Sequence, residues 1–145
     1  MPTCTFFGHR DSPETIRPAL HQAIVQMIET HGVDQFYVGH QGRFDHMALA
    51  ELLKAAQRYP HIRYAVVYAY LPTHPQPSPD EAFPYTHTLL PDGIETAPKR
   101  FAISYRNRWM VERSDFVIAY VLYRGGAMQF VELAQRKGKR IVEIK

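Results

Sequence analysis

Three short stretches of this chain, and one helix-like segment, carry residue types that could hold a negatively charged guest. Gly8-His9-Arg10-Asp11 joins a glycine, which lets backbone approach a ligand closely, to an arginine whose planar fork donates in pairs to phosphate or carboxylate. A helix starting just beyond would add free N–H groups and a positive dipole end, completing an anion site. The plainer alternative is a tight turn at Gly8 with Arg10 paired to Asp11 or Glu14. Gly39-His40-Gln41-Gly42-Arg43-Phe44-Asp45 repeats the arrangement, with Asp45 placed to cap a following helix, and suits either ligand contact or simple turn formation. Leu122-Tyr123-Arg124-Gly125-Gly126 again sets glycines ahead of a helix, where exposed amides suit a phosphate. Glu132 follows one and a half turns later, as a site carboxylate or as a solvated helix residue. Arg106, Asn107 and Arg108 precede Trp109 and Met110; the last two read as core packing, whereas Arg106 either reaches the site or lies in water.

Other chemistries find no support. The eight histidines include no pair at i, i+4 beside an acid, as a helical zinc site would need, so neither metal nor cofactor is expected. Gly-x-Ser-x-Gly, Walker-type and Gly-x-Gly-x-x-Gly patterns are absent. Cys4 lies in an apolar run, where a thiol packs as a small hydrophobe.

The elements needed to position these stretches are legible in hydrophobic period. Thr3 to Gly8 reads as a buried strand, and Pro13 to His31 carries Ile16, Leu20, Ile24, Met27 and Ile28 at helical spacing, with Asp11 or Ser12 as cap. A strand over Asp34 to Gly39, a helix over Asp45 to Arg58 and a strand over Ile62 to Tyr70 repeat that unit. Leu71 to Pro98 holds seven prolines and breaks the pattern, as a lid or binding loop or as a rigid surface insertion. A helix over Lys99 to Arg113, a strand over Asp115 to Val121, a helix over Ala127 to Arg136 and a strand over Arg140 to Ile144 complete the chain. Alternation of this kind predicts a Rossmann-like three-layer α/β/α architecture with a mainly parallel five-stranded sheet and right-handed crossovers. Ligands of such sheets settle beyond the carboxyl ends of the strands, where the strand order reverses.

At 145 residues the chain reads as one domain, 1–145, with 71–98 as an insertion. Lys and Arg exceed Asp and Glu by 17 to 14, a mild basic excess that suits anionic ligands. Only Lys137-Gly138-Lys139-Arg140 resembles a basic run, so a nucleotide or phosphorylated small molecule ranks ahead of nucleic acid as partner. A single cysteine, no leader pattern and no run of about 18 apolar residues point to a cytoplasmic chain without a membrane partner.

Cys4-Thr5-Phe6-Phe7-Gly8-His9-Arg10, Gly39-x-x-Gly42-x-Phe44-Asp45, and Arg106-Asn107-Arg108-Trp109-Met110-Val111 with Ser114-Asp115 and Gly125-Gly126 resemble the SLOG superfamily. This Rossmann-like group joins the LOG phosphoribohydrolases to the DprA/Smf proteins, and the likeness is strongest to its small YpsA-like bacterial members. The resemblance spans almost the whole chain and implies a nucleotide-binding protein, with a sensor role and a homodimeric assembly among what it allows. LOG enzymes cleave the N-glycosidic bond of nucleoside 5′-monophosphates and carry Arg-Lys-x-x-Met followed by Pro-Gly-Gly-x-Gly-Thr-x-x-Glu. Arg106 and Met110 match the first pattern and Gly125, Gly126 and Glu132 the second, which implies Arg106 and Glu132 as a catalytic pair. Arg124, Met128 and Gln129 replace the proline, the third glycine and the threonine. The resemblance thus implies nucleotide binding first, a phosphoribohydrolase second and a DprA-like nucleic-acid binder third. The candidate ligand-binding set is Gly8, His9, Arg10, Gly39, Gly42, Arg43, Asp45, Arg106, Asn107, Gly125 and Gly126.

Overall fold

A computed structural model describes residues 2–69 and 88–144, leaving aside the side chains of Glu95 and Lys99. Its strands are β1 (Thr3–Gly8), β2 (Gln35–Val38), β3 (Arg63–Val67), β4 (Thr88–Leu89), β5 (Phe116–Tyr120) and β6 (Arg140–Glu143). The helices are α1 (Arg17–Glu29), α2 (Arg43–Arg58), α3 (Ala102–Glu112) and α4 (Gly126–Arg136). All neighbouring strands run parallel, in the order β4-β3-β2-β1-β5-β6.

That order corrects the expected five strands to six. The added strand, β4, lies inside the proline-rich stretch and pairs Thr88 with Val66 and Leu89 with Val67. Two residues are too few to show a period of two, so nothing in the sequence marks them as a strand. The rest of the described excursion is pinned to α3, since the Tyr105 hydroxyl donates to the Asp92 carbonyl at 2.7 Å. Of the lid or rigid insertion expected over 71–98, residues 71–87 fall outside the described residues.

The sheet separates two apolar layers. Cys4 and Phe6 of β1 face α1 and α2, whose Leu20, Ile24, Met27, Phe44, Met47 and Leu52 form the larger core. Phe7 points the opposite way, with Val117, Met110, Val111 and Phe130 beneath α3 and α4. This alternation follows from the period of two in a strand covered on both faces. Burying side chains of this size contributes about 1.5–3 kcal/mol each. Burial pushes the Cys4 thiol pKa well up, so it stays protonated and packed.

Between the helices, the buried Glu51 carboxylate of α2 meets His21 Nδ1 at 2.9 Å and Arg17 at 3.5 Å from α1, and Lys54 at 3.6 Å from its own helix. This ties α1 to α2 through residues that do not line the cleft described below. Helix starts differ from expectation in two places. Ser12 does not cap α1; its hydroxyl donates to the His9 carbonyl at 2.6 Å and so braces the turn. Asp45 is not the cap of α2 either: the helix begins after Gly42, which leaves Asp45 within the first turn.

Candidate functional site

Chain order reverses between β1 and β5: β2 and β3 extend the sheet from one side of β1, while β5 and β6 extend it from the other. Beyond the carboxyl ends of β1 and β5, where Gly8 pairs with Tyr120, lies a cleft of about 330 Å³. Its size falls at the small end of the usual range for ligand sites. Phe6, Phe7, Ile103 and Met110 supply its apolar wall, and the polar groups come from each expected loop.

From the turn after β1 come His9, Arg10 and Asp11. His9 is buried, and its Nε2 accepts the Leu122 N–H at 2.8 Å, which fixes that nitrogen as unprotonated. The ring stacks on Tyr123 at 3.8 Å, and the Tyr123 hydroxyl donates to Asp11 at 3.0 Å. That bond holds the Tyr123 phenol above its ordinary pKa. These contacts strap the loop after β5 to the turn after β1. Glu14 pairs with Arg17 at 2.8 Å, and Asp11 is engaged by Tyr123. Arg10 therefore stands exposed at the cleft mouth, with no hydrogen-bond partner for its guanidinium among the described residues.

From the turn after β2 come Gln41 and Asp45. Asp45 Oδ2 accepts the Gln41 N–H at 2.9 Å. Loss of hydration raises the Asp45 pKa to about 6, and the opposing pull of Arg106, the Gln41 N–H, His46 and Arg10 only partly cancels that effect. From α3 come Arg106 and Asn107. Arg106 is 2% exposed, donating from Nε to Asn107 Oδ1 at 2.7 Å and from a terminal nitrogen to the Val67 carbonyl at 3.1 Å.

From the last loop come Tyr123, Gly125, Gly126 and Ala127. No side chain caps α4. The amides of its first turn have no intrahelical acceptors and carry the positive end of the helix dipole. The first turn of α2 is different, because the Arg43 N–H is already taken by the Arg10 carbonyl at 2.9 Å.

Of the residues expected from sequence, Gly8, His9, Arg10, Asp45, Arg106, Asn107, Gly125 and Gly126 therefore line one cleft. Gly39, Gly42, Arg43 and Glu132 are not among its lining residues. Gly39 and Gly42 act one layer behind it. A Cβ on Gly39 would lie 2.8 Å from Asp45 Oδ2 and 3.0 Å from Arg106, and one on Gly42 would lie 2.6 Å from the Arg10 backbone. Glu132 is half-buried on α4. Sequence reasoning left Gln41, Tyr123, Ile103 and the apolar wall out of the site and considered Asp11 only as a cap or ion-pair partner. Asp11, Gln41 and Tyr123 carried one usable signal, their place in the loops at strand carboxyl ends. Among the described residues no group of three or more His, Cys, Asp or Glu side chains is gathered as a metal would need.

No family model matches the chain, and no curated protein matches it. Among solved structures it is similar to DNA processing protein A from Helicobacter pylori, described for its single-stranded DNA binding mode. The TM-score is 0.64 at 17% identity, over 98% of this chain and 64% of that one. This chain thus spans 64% of its neighbour's length. Among the described residues no helix is long and apolar enough to cross a membrane. At that identity the shared feature is the fold: this chain is an α/β protein with the parallel, Rossmann-like sheet architecture of DNA processing protein A.

Proposed function

We propose that the cleft binds a nucleotide or a nucleotide-derived phosphate ligand. One observation carries this reading: at the point of strand reversal, the uncapped start of α4, the unpartnered Arg10 and the buried Arg106 border the same hollow. Free amides and an exposed guanidinium around a partly apolar cavity suit a guest with a phosphate at one end and a ring at the other. The motif resemblance to SLOG proteins points the same way.

The experiment is a melting curve with each common nucleoside monophosphate in turn. A saturable rise in melting temperature is expected, because a ligand that binds only the folded chain stabilises it by mass action. No rise with any nucleotide overturns the reading.

A second reading, binding of single-stranded DNA, is favoured by the fold likeness to DNA processing protein A and by exposed aromatic and basic groups, among them Tyr123 at the cleft. Tyr123 is 52% exposed beside Arg124, and Phe101 is 51% exposed with the Arg100 guanidinium 4.8 Å from its ring centre. Bases stack on such rings while cations track the backbone. An oligothymidylate that binds tightly at low salt and weakly at high salt, with no effect of free nucleotides, supports this second reading over the first. Phosphoribohydrolase activity asks for Glu132 at the ligand, and base release that disappears in Glu132→Ala is its test.

A further inference from the structure

Two carboxylates line the cleft, Asp11, engaged by the Tyr123 hydroxyl, and Asp45, and the second is at odds with a site that only attracts anions. Asp45 Oδ2 accepts the Gln41 N–H at 2.9 Å. Oδ1 accepts no hydrogen bond among the described residues, although the side chain lines the cleft. A carboxylate repels phosphate, so the part of the ligand that faces Asp45 must offer hydrogen-bond donors. On a nucleotide those are sugar hydroxyls or base N–H groups.

The other surfaces decide between these two. Phosphate is drawn to the start of α4 and to Arg10, where the free amides and the unpartnered guanidinium lie. A base finds flat or apolar partners in Tyr123, Ile103 and Met110. Asp45 comes from a different element, the first turn of α2, with Arg10 near enough to act on its charge, and its free oxygen has two lone pairs to offer a vicinal diol. Acidic groups on the second strand–helix unit of dinucleotide-binding sheets meet ribose hydroxyls in the same manner.

Resting on the reading that the cleft holds a nucleotide, we propose that Asp45 reads the sugar, its free carboxylate oxygen accepting from the ribose 2′- and 3′-hydroxyls. The cleft then takes ribonucleotides in preference to 2′-deoxyribonucleotides and to DNA. Incomplete compensation for the desolvation of Asp45 agrees with this, because a half-buried carboxylate gains from each donor that a ligand brings.

The test is calorimetry at pH 7.5 with the four ribonucleoside 5′-monophosphates and their four 2′-deoxy counterparts, on the wild-type chain and on Asp45→Asn. A hydrogen bond to a charged acceptor predicts a ribose preference of about tenfold or more in the wild type. In Asp45→Asn the amide oxygen still serves the Gln41 N–H, but an NH₂ replaces the free acceptor. The ratio then falls to within about twofold. Equal wild-type affinity for ribo and deoxy forms overturns the inference and leaves nucleotide binding intact, whereas binding of neither form overturns both. A ratio that survives in a folded Asp45→Asn assigns the discrimination to another group and also overturns it. The wild-type ratio decides even if the variant does not fold.

Discussion

On one side of the cleft, at the turns after β1 and β2, the space beside each glycine is filled by protein. A Cβ on Gly8 would fall 2.2 Å from the Phe44 ring, and Gly42, at φ 90°, packs on the Arg10 backbone. On the other side, at the start of α4, a Cβ on Gly126 would meet nothing within 4 Å, and one on Gly125 only the Tyr123 ring edge at 4.0 Å. Glycines that look alike in sequence therefore serve different ends. The first set lets two turns close against each other and fixes where Arg10, Asp45 and Arg106 stand, while the second leaves amides open to a guest.

Substitutions can break or sharpen this contrast, beginning with the ring that fills the first side. Phe44 is fully buried, so Phe44→Ala should destabilise the chain by about 3–5 kcal/mol in a denaturant titration. Gly8→Ala should cost about 1–3 kcal/mol through overpacking against that ring. Combined with Phe44→Leu, which frees ring volume, it should cost less than it does alone, and simple additivity would break the packing account. Gly42→Ala adds a left-handed residue to a backbone clash and should cost at least about 1–2 kcal/mol. At the other side, Gly125→Ala and Gly126→Ala should stay within about 0.5 kcal/mol of wild type.

A separate test comes from pH. Asp45 titrates at about 6 in the folded chain against an ordinary 3.8, so the folded state keeps this proton to higher pH than the unfolded chain does. The contribution is therefore fully present below the unfolded value and is lost as pH rises through about 6. Asp45→Asn should remove that slope from a plot of stability against pH, and an unchanged slope would assign it to another group.

Much of the fold was legible because it rests on local period. Leu20, Ile24, Met27 and Ile28 fall on one face of α1, and the mostly apolar run from Cys4 to Phe7, interrupted only by Thr5, suits a strand buried on both faces. β4 was not legible, since its two residues gain strand character only by pairing with β3. The site was legible as three glycine-bearing loops and an arginine, but not which glycine faces protein and which faces the cleft. What fills the space beside Gly8 is a ring 36 positions away, and sequence spacing cannot report it. The same holds for Asp45, whose perturbation depends on burial and on Arg106, a residue of another helix.

Gly126→Val separates fold from ligand most cleanly, because it enters open space at the start of α4 while leaving the packed turns untouched. Calorimetric affinity for the nucleotide that most raises the wild-type melting temperature should fall by about tenfold or more, as expected when a charge-assisted hydrogen bond is lost. Stability without ligand should stay within about 0.5 kcal/mol of wild type. Wild-type affinity in Gly126→Val would contradict the claim that the amides of this helix start hold the phosphate.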